Sequence, residues 1–393
     1  MSFNIHGLEN KISRCGFFDY VKTFDIFSLA ETHITEDKIK RFSKYFGGFD
    51  LVWEKAEKNS KFGRAIGGCV IGVSHSLSSK KIEHCFIKTG KIHTICIKIN
   101  ELNLSLIPMY IRPTDWAELF SNLTNTINEK KLQNPIIMGD LNVRIGNMHQ
   151  TVDKYTEKEF RAGTGVKKSR DTEINKKGKE FVKFCTDYGL VILNGCTLGD
   201  DEGDFTFISG TGQSVIDYCA VSQDLLNLVE SFNVDTRVWS DHMPISLTLK
   251  FEIFEREKEH FNLLPKLIWK EEFIHEYQNK MNENLRKLSE ENTILTLKAL
   301  EYVVKNSAIP TVLKNTSFVA KSKWFNGRCS TVRKKCFKWL RRFKRTGSVS
   351  DKDNYLKSKQ EFRRVESEAK SSYFQNLDHK INMVKIGGKW LKK

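Results

Sequence analysis

Short apolar runs recur along positions 1 to about 250, each bounded by polar or glycine-containing stretches. The segments "DIFSLAE" (25–31), "AIGGCVIGV" (65–73), "HTICIKI" (93–99), "NLSLIPMYI" (103–111), "PIIMGDL" (135–141), "LVILN" (190–194), "SVIDYCAV" (214–221) and "MPISLTLKF" (243–251) read as strands. Several lack polar alternation, as expected of strands covered on both faces. Between them, "WAELFSNLTNTINEKK" (116–131) and "NKKGKEFVKFCTDYG" (175–189) carry helical patterns, the second stopped by Gly189. Strands alternating with helices predict a mixed α/β domain over residues 1–250. The stretch 154–180 is rich in Lys, Arg, Thr and Glu, and its first part reads as a long exposed loop.

After about residue 252 the strand pattern stops. Residues 251–269 read as a connector and 270–393 as a helical segment, beginning with one or two amphipathic helices over 270–306. Residues 324–345 and 351–386 then predict a helical hairpin with "TGSVS" as its turn. In the second arm Phe362, Val365, Ala369, Tyr373, Leu377 and Ile381 fall at three- and four-residue steps, one stripe of a helix.

Charge sharpens this division. The chain of 393 residues has a net charge of +16. Residues 1–250 hold 32 Lys+Arg against 31 Asp+Glu, and residues 301–393 hold 24 against 7. A near-neutral body with a strongly basic C-terminal segment suits a polyanion as partner. Residues 321–345 alone carry 11 basic residues, no acidic ones and five aromatics. Within them Arg333, Lys334, Lys335, Arg341 and Arg342 are candidate phosphate contacts, for DNA or RNA. Trp324, Trp339 and Phe343 better fit a packed stripe than a stacking platform.

Composition also narrows the class. With 39% hydrophobic residues, the chain can bury a sizeable core. No apolar run is long enough to span a bilayer, so no membrane role is expected. The N-terminus lacks the order of a secretion signal. Nine scattered cysteines with no CxxC pair point to reduced thiols in an intracellular protein, not a disulfide framework or zinc ribbon.

Polar residues stand where apolar strands end. Asn4 follows "MSF", Glu31 closes "DIFSLAE", Tyr110 closes "NLSLIPMY", and Asp140 and Asn142 close "PIIMGDLN". Asp217 sits within "SVIDYCAV", and Asp241 and His242 open the last strand in "WSDHMPI". Taken singly, each has an ordinary role: a cap or ion pair for Glu31, an Asx-turn for Asp140 and Asn142, a helix cap for Asp241, a surface histidine for His242. A calcium loop at Asp140 is excluded, because its twelfth position is Thr151. Together the residues fit phosphodiester hydrolysis, which needs a hard cation, a group that activates water and donors that hold the phosphate.

The ordered set "FNIHG", "LAETHI", "PMYIRP", "GDLNVRIG", "SVIDYCAVS" and "SDHMPI" resembles the endonuclease/exonuclease/phosphatase superfamily, in its apurinic-endonuclease-like branch. The resemblance implies a four-layered α/β-sandwich with two mixed sheets, followed here by the basic helical segment. It implies hydrolysis dependent on a divalent metal, magnesium or manganese. Glu31 then corresponds to the principal metal ligand, with Asn4 organising the metal site and Asp241 beside it. Tyr110 and Asn142 would hold the phosphate, and Asp140 would position or deprotonate water. His242 would contact the phosphate or act as base, its ring fixed by Asp217. Which of Asp140 and His242 takes the proton stays open.

A narrower resemblance runs through 170–218, where "DT..N..G..F..FC...GL.ILNG" and "GDFTF.S..G.SVIDY" are similar to the endonuclease of Jockey-type non-LTR retrotransposons. It implies a DNA endonuclease that nicks target DNA for retrotransposition, at work in the nucleus, with element RNA as a further partner of the basic segment. Lys167, Lys168 and Arg170 in "GVKKSRD" would contact backbone phosphates, although each also reads as a solvated loop charge. No YxDD-like acidic pair follows residue 250, and the ending "IGGKWLKK" reads as a truncation before a polymerase. Alternative readings are a catalytically inactive nucleic-acid-binding remnant, a cellular abasic-site repair nuclease, and a phosphatase or phospholipase of the same fold.

Overall fold

The computed structural model describes residues 1–58, 63–79, 82–99, 101–148, 167–251, 274–290, 303–304, 307 and 323–386. The apolar runs form strands because β-branched and aromatic residues fit a pleated surface covered on both sides. In chain order the strands are β1 (Ser2–Asn4), β2 (Ile26–Ala30), β3 (Phe49–Glu54), β4 (Cys69–Ser74), β5 (Glu83–Thr89), β6 (Ile92–Ile99) and β7 (Leu102–Tyr110). They continue with β8 (Pro135–Asp140), β9 (Leu190–Ile192), β10 (Phe207–Ile208), β11 (Gln213–Ser214), β12 (Asp217–Ser222), β13 (Val229–Val234) and β14 (Ile245–Leu249). The helices are α1 (Phe17–Val21), α2 (Glu36–Ser43), α3 (His75–Ser79), α4 (Trp116–Lys130), α5 (Lys176–Asp187), α6 (Ile274–Glu290), α7 (Gly327–Thr346) and α8 (Val349–Ile386).

The strands build two mixed sheets of six, ordered β13-β14-β1-β2-β4-β3 and β5-β6-β7-β8-β12-β9, plus the short ribbon β10-β11. Each sheet holds one parallel pair near its centre, β1 with β2 and β7 with β8. Ile71, Val73 and Ile245 of the first sheet share a buried cluster with Ile95, Ile107, Met138 and Cys219 of the second. The other face of the first sheet buries Phe3, Phe27, Leu29 and Val70 with Phe17 and Val21 of α1 and Phe42 of α2. On the second sheet α4 packs on β6 and α5 on β9. The result is the expected α/β-sandwich with two mixed sheets.

The two parallel pairs decide which strand ends share an edge. In a parallel pair both chains run out at the same sheet edge. Register places Asn4 opposite Ala30, immediately before Glu31, and Tyr110 opposite Asp140. The antiparallel partner β12 starts at that same edge, with Asp217 opposite Asp140. Gly139 makes the approach possible: a Cβ there would lie 1.9 Å from the Met109 carbonyl oxygen.

The sheet edges that sequence left out, β3, β5 and β13, are half-buried strands in which polar residues interrupt the apolar pattern. Helix predictions over 116–131 and 175–189 match α4 and α5. Asn175 caps α5 by accepting a hydrogen bond from the Gly178 amide at 2.7 Å. The hairpin forms as α7 and α8, with Asn326 capping the first arm through the Cys329 amide at 3.0 Å. Gly347, at φ 64°, ends that arm in the left-handed region.

By internal packing, Met1–Ile253 with Val319–Lys393 form one unit, and Phe254–Phe318 a second. This division differs from the boundary drawn at 270–393 from composition. The reason is the apolar stripe of α7, where Val332, Cys336, Leu340 and Phe343 join the same buried cluster as the sheets. Phe343 stacks on Phe205 with ring centroids 6.2 Å apart. In the α8 stripe Phe362 and Val365 are buried, Ala369 and Tyr373 pack partly against the cluster, and Leu377 is exposed; the side chain of Ile381 lies outside the described residues. In the second unit α6 is described, with Asn284 donating to Ser307 at 3.1 Å. The connector from 252 onward and the loop 154–166 lie outside the described residues. Among the described residues no helix is long and apolar enough to cross a membrane. All nine cysteines are free.

Candidate active site

Seven of the polar residues that close strands meet at one edge of the two sheets. Asn4 joins the sheets: its Nδ2 donates to Glu31 Oε1 at 3.0 Å and to Asp140 Oδ2 at 2.9 Å. Tyr110 donates its hydroxyl to Glu31 Oε1 at 2.8 Å. The Asn142 amide donates to Asp140 Oδ1 at 3.1 Å, and Asn142 Nδ2 donates to the Ile111 carbonyl at 3.0 Å. His242 Nδ1 lies 3.0 Å from Asp217 Oδ2, and its Nε2 lies 3.8 Å from Asp140 Oδ2. Asp217 is itself seated by its backbone amide, which donates to Thr206 Oγ1 at 3.0 Å. The Phe207 ring packs on His242 with centroids 5.0 Å apart.

The backbone is strained where these side chains are aimed. Among the described residues six that are not glycine have positive φ, and four of them are His6, Glu31, His33 and Asn142. Left-handed conformations are costly for residues with a Cβ and gather at functional sites. At Glu31 the turn out of β2 points the carboxylate back across the sheet edge, toward Asn4 and Tyr110.

Electrostatics set the carboxylates apart. Burial acts to raise the Glu31 pKa, yet hydrogen bonds from His33, Asn4, Tyr110 and His6 outweigh it and hold the group well below the usual carboxylate range. Asp140 behaves oppositely: burial, then repulsion by Asp217, push it up to about 7. Burial alone would lower His242, but Asp217 and Asp140 raise it to about 9. Tyr110 is pushed up by burial and by Glu31, so its hydroxyl stays a donor. Near neutral pH the site thus combines a fixed carboxylate, a second carboxyl poised near neutrality, and an imidazolium.

Asp140, Asp217 and His242 form a buried group whose ligand atoms all lie within 4.8 Å of one another, a spacing able to hold a metal ion. Glu31, Asp140 and Asp217 bring three carboxylates to the site against the single imidazolium. The excess of hard oxygen donors fits a hard divalent cation.

The other predicted residues fall elsewhere. Asp241, expected beside a metal, has its Oδ1 engaged by Lys359 Nζ at 2.8 Å and Arg363 Nη2 at 3.4 Å, both from α8. Lys167 is buried, with its ammonium 5.9 Å from the Tyr218 ring centroid and without a hydrogen-bond partner among the described residues. Lys168 pairs with Glu202 at 2.5 Å and Arg170 with Asp204 at 3.1 Å. On α7, Arg333 lies 5.8 and 5.7 Å from the ring centroids of Phe325 and Phe337. Lys335 pairs with Glu361 at 2.9 Å, and Arg342 with Asp351 at 2.9 Å. Lys334 and Arg341 are exposed and share one helical face with exposed Lys338 and Arg345.

Sequence reasoning passed over His6, His33 and Lys359. His6 Nδ1 lies 3.0 Å and His33 Nε2 3.4 Å from Glu31 Oε2. Both stand inside the stretches "FNIHG" and "LAETHI", two residues beyond Asn4 and Glu31 respectively. Lys359 carried no signal, since one lysine in a Lys-rich helix looks like any other.

The family described as endonuclease-reverse transcriptase matches residues 104–246. Among curated proteins none matches this chain. The chain is similar in structure to the AP endonuclease LMAP from Leishmania major, at 14% identity and a TM-score of 0.47, covering 64% of this chain and 86% of that one. It is also similar to the 3'-5' exonuclease NExo from Neisseria meningitidis, at 16% identity and a TM-score of 0.42, covering 64% and 98%. A third is the endonuclease domain of TRAS1, a telomere-specific non-LTR retrotransposon, at 15% identity and a TM-score of 0.40, covering 63% and 96%.

Proposed function

We propose that this chain carries a domain of the endonuclease/exonuclease/phosphatase superfamily and is a divalent-metal-dependent DNA endonuclease of a non-LTR retrotransposon. The observation that supports this most is the Asn4 amide, which bridges Glu31 of one sheet and Asp140 of the other. It ties residues 27 and 136 positions away into one cleft.

Glu31 and Asn4 would hold the cation, which when bound supplies charge neutralisation for the scissile phosphate. Asp241 is left out of this set because Lys359 and Arg363 neutralise it. Asp140 takes the proton from the attacking water, since its carboxyl is held near neutrality. His242, kept protonated by Asp217 and Asp140, donates from Nε2 to a phosphate oxygen. Asn142 contributes a further donor through its second amide hydrogen, and Tyr110 holds Glu31 in place with its hydroxyl. Water oxygen bonds to phosphorus as the ester P–O bond breaks, and the leaving oxygen takes up a proton from solvent.

The exposed α7 face of Lys334, Lys338, Arg341 and Arg345 suits the phosphate backbone of a DNA substrate. The same face suits element RNA. Nicking of chromosomal DNA would take place in the nucleus. Supercoiled plasmid incubated with magnesium should be nicked by the protein, while EDTA or His242→Ala abolishes nicking. Equal nicking by His242→Ala would overturn the mechanism, and DNA binding without any nicking would favour a non-catalytic binding role.

A further inference from the structure

Beside the catalytic edge lies a cavity of ≈ 490 Å³ between the chain after β1 and helix α8. Lys11, Arg14, Arg363 and Lys370 line it, together with Glu9, Asp241 and Glu366. His6, which touches Glu31, also borders it, so the cavity opens next to the cleft.

The charges in this cavity do not balance. Glu366 pairs with Arg14, and Asp241 is shared by Lys359 and Arg363. Lys370 spends its ammonium on the neutral Ser13 hydroxyl at 2.5 Å and on the Trp324 ring, 4.7 Å from its centroid. Lys11 is only 4% exposed and has no hydrogen-bond or ion-pair partner among the described residues. Four cations therefore line the cavity with three carboxylates, and the third, Glu9, is paired with Lys38 from outside it. Burial, then repulsion by Arg14, Arg363 and Lys359, lowers the Lys11 pKa to about 7. Burying an ammonium without a partner is costly, and an anion placed there would recover part of that cost.

We propose that this cavity is a phosphate subsite, in which Lys11, Arg363 and Lys370 receive a backbone phosphate of the nucleic acid next to the one being cleaved. The proposal rests on the nuclease reading for its choice of ligand. Its position explains why α8 packs there: the hairpin supplies one wall of the binding groove and the N-terminal loop supplies the other. Only a phosphate set back from the cleft edge would reach it, so the subsite selects extended nucleic-acid strands over small phosphoesters.

The test is binding of a short fluorescein-labelled duplex DNA to the full chain in EDTA, followed by anisotropy across a sodium chloride series. Lys11→Gln should weaken binding about tenfold and reduce the slope of log affinity against log salt by about 1. Its thermal unfolding midpoint should be unchanged or higher, because a buried unpaired charge is gone. Arg363→Gln, on the exposed side of α8, should reduce the slope likewise. Unchanged affinity and slope in both variants would overturn the subsite, as would failure of the unmodified protein to bind. Because no cleavage is measured, the two readings separate. Lys11-dependent binding without magnesium-dependent nicking supports the subsite and sinks the nuclease, whereas nicking with Lys11-independent binding does the reverse.

Discussion

The ammonium of Lys359 lies 2.8 Å from the Asp241 carboxylate, joining two residues 118 positions apart. The same ammonium donates to the Ser240 carbonyl at 2.8 Å, two residues before His242. The second arm of the hairpin thus grips the segment that carries the imidazole. Lys359→Met should leave Asp241 with only the more distant Arg363. Asp241 is 39% exposed, so the loss is expected to be about 1–2 kcal/mol of stability, less than for a fully buried pair. Urea unfolding of the two proteins measures it. Nicking should fall with it, because the His242 segment loses its anchor.

Asp140 sets the acid side of the activity profile. With its carboxyl held up to about 7, nicking should rise as pH passes that value. His242, held up to about 9, should lose its proton above that, so the rate falls again and the profile is bell-shaped. A pH–rate series on plasmid nicking checks both limbs. A profile flat from pH about 6 to 10 would contradict the assignment.

Asp140→Asn should separate activity from stability. The raised carboxyl contributes stability that is present below its ordinary value of 3.8 and lost as pH rises to about 7. Asparagine has no such loss, so the variant should gain stability relative to the original protein across that window, then hold the gain. Nicking should drop by about 10²-fold or more. Thermal unfolding midpoints in mildly acidic and mildly alkaline buffer, alongside nicking, test the pair.

Asp217→Asn removes the main charge that outweighs burial at His242. The imidazole pKa should fall from about 9 toward 6.5, moving the alkaline limb of the rate profile to lower pH. The stability that His242 contributes is fully present below 6.5 and lost as pH rises through about 9. The variant should therefore be destabilised in acid and neutral solution, and little changed well above pH about 9.

Phe343→Ala tests whether the hairpin folds with the sheets. Phe343 is 1% exposed and stacks on Phe205, so truncation should cost about 3–5 kcal/mol. The loss should lower the unfolding transition of the sheet domain itself, followed by near-ultraviolet circular dichroism. A separate early transition for the helices, with the sheets unaffected, would show that α7 and α8 fold on their own.

The strands near the site were legible along the chain because burial on both faces demands unbroken apolar runs, as in "PIIMGDL" and "SVIDYCAV". Strands β3 and β5, half-buried, mix polar and apolar residues and left no such trace. The polar residues at strand ends were legible for a related reason: a carboxylate at the tip of a buried run is costly unless it works. What the linear order of residues could not determine was neighbourhood. Parallel pairing of β1 with β2 and of β7 with β8 brings Asn4, Glu31, Tyr110 and Asp140 to one edge. The strained turns after β2 and β8 then aim them at each other. Folding also reassigned charges that composition treated alike. Lys167 went into the core and Lys359 to Asp241, while Lys334 and Arg341 stayed in solvent. A lysine's role depends on which acid, ring or void lies within a few ångströms, and only the packed chain sets those distances.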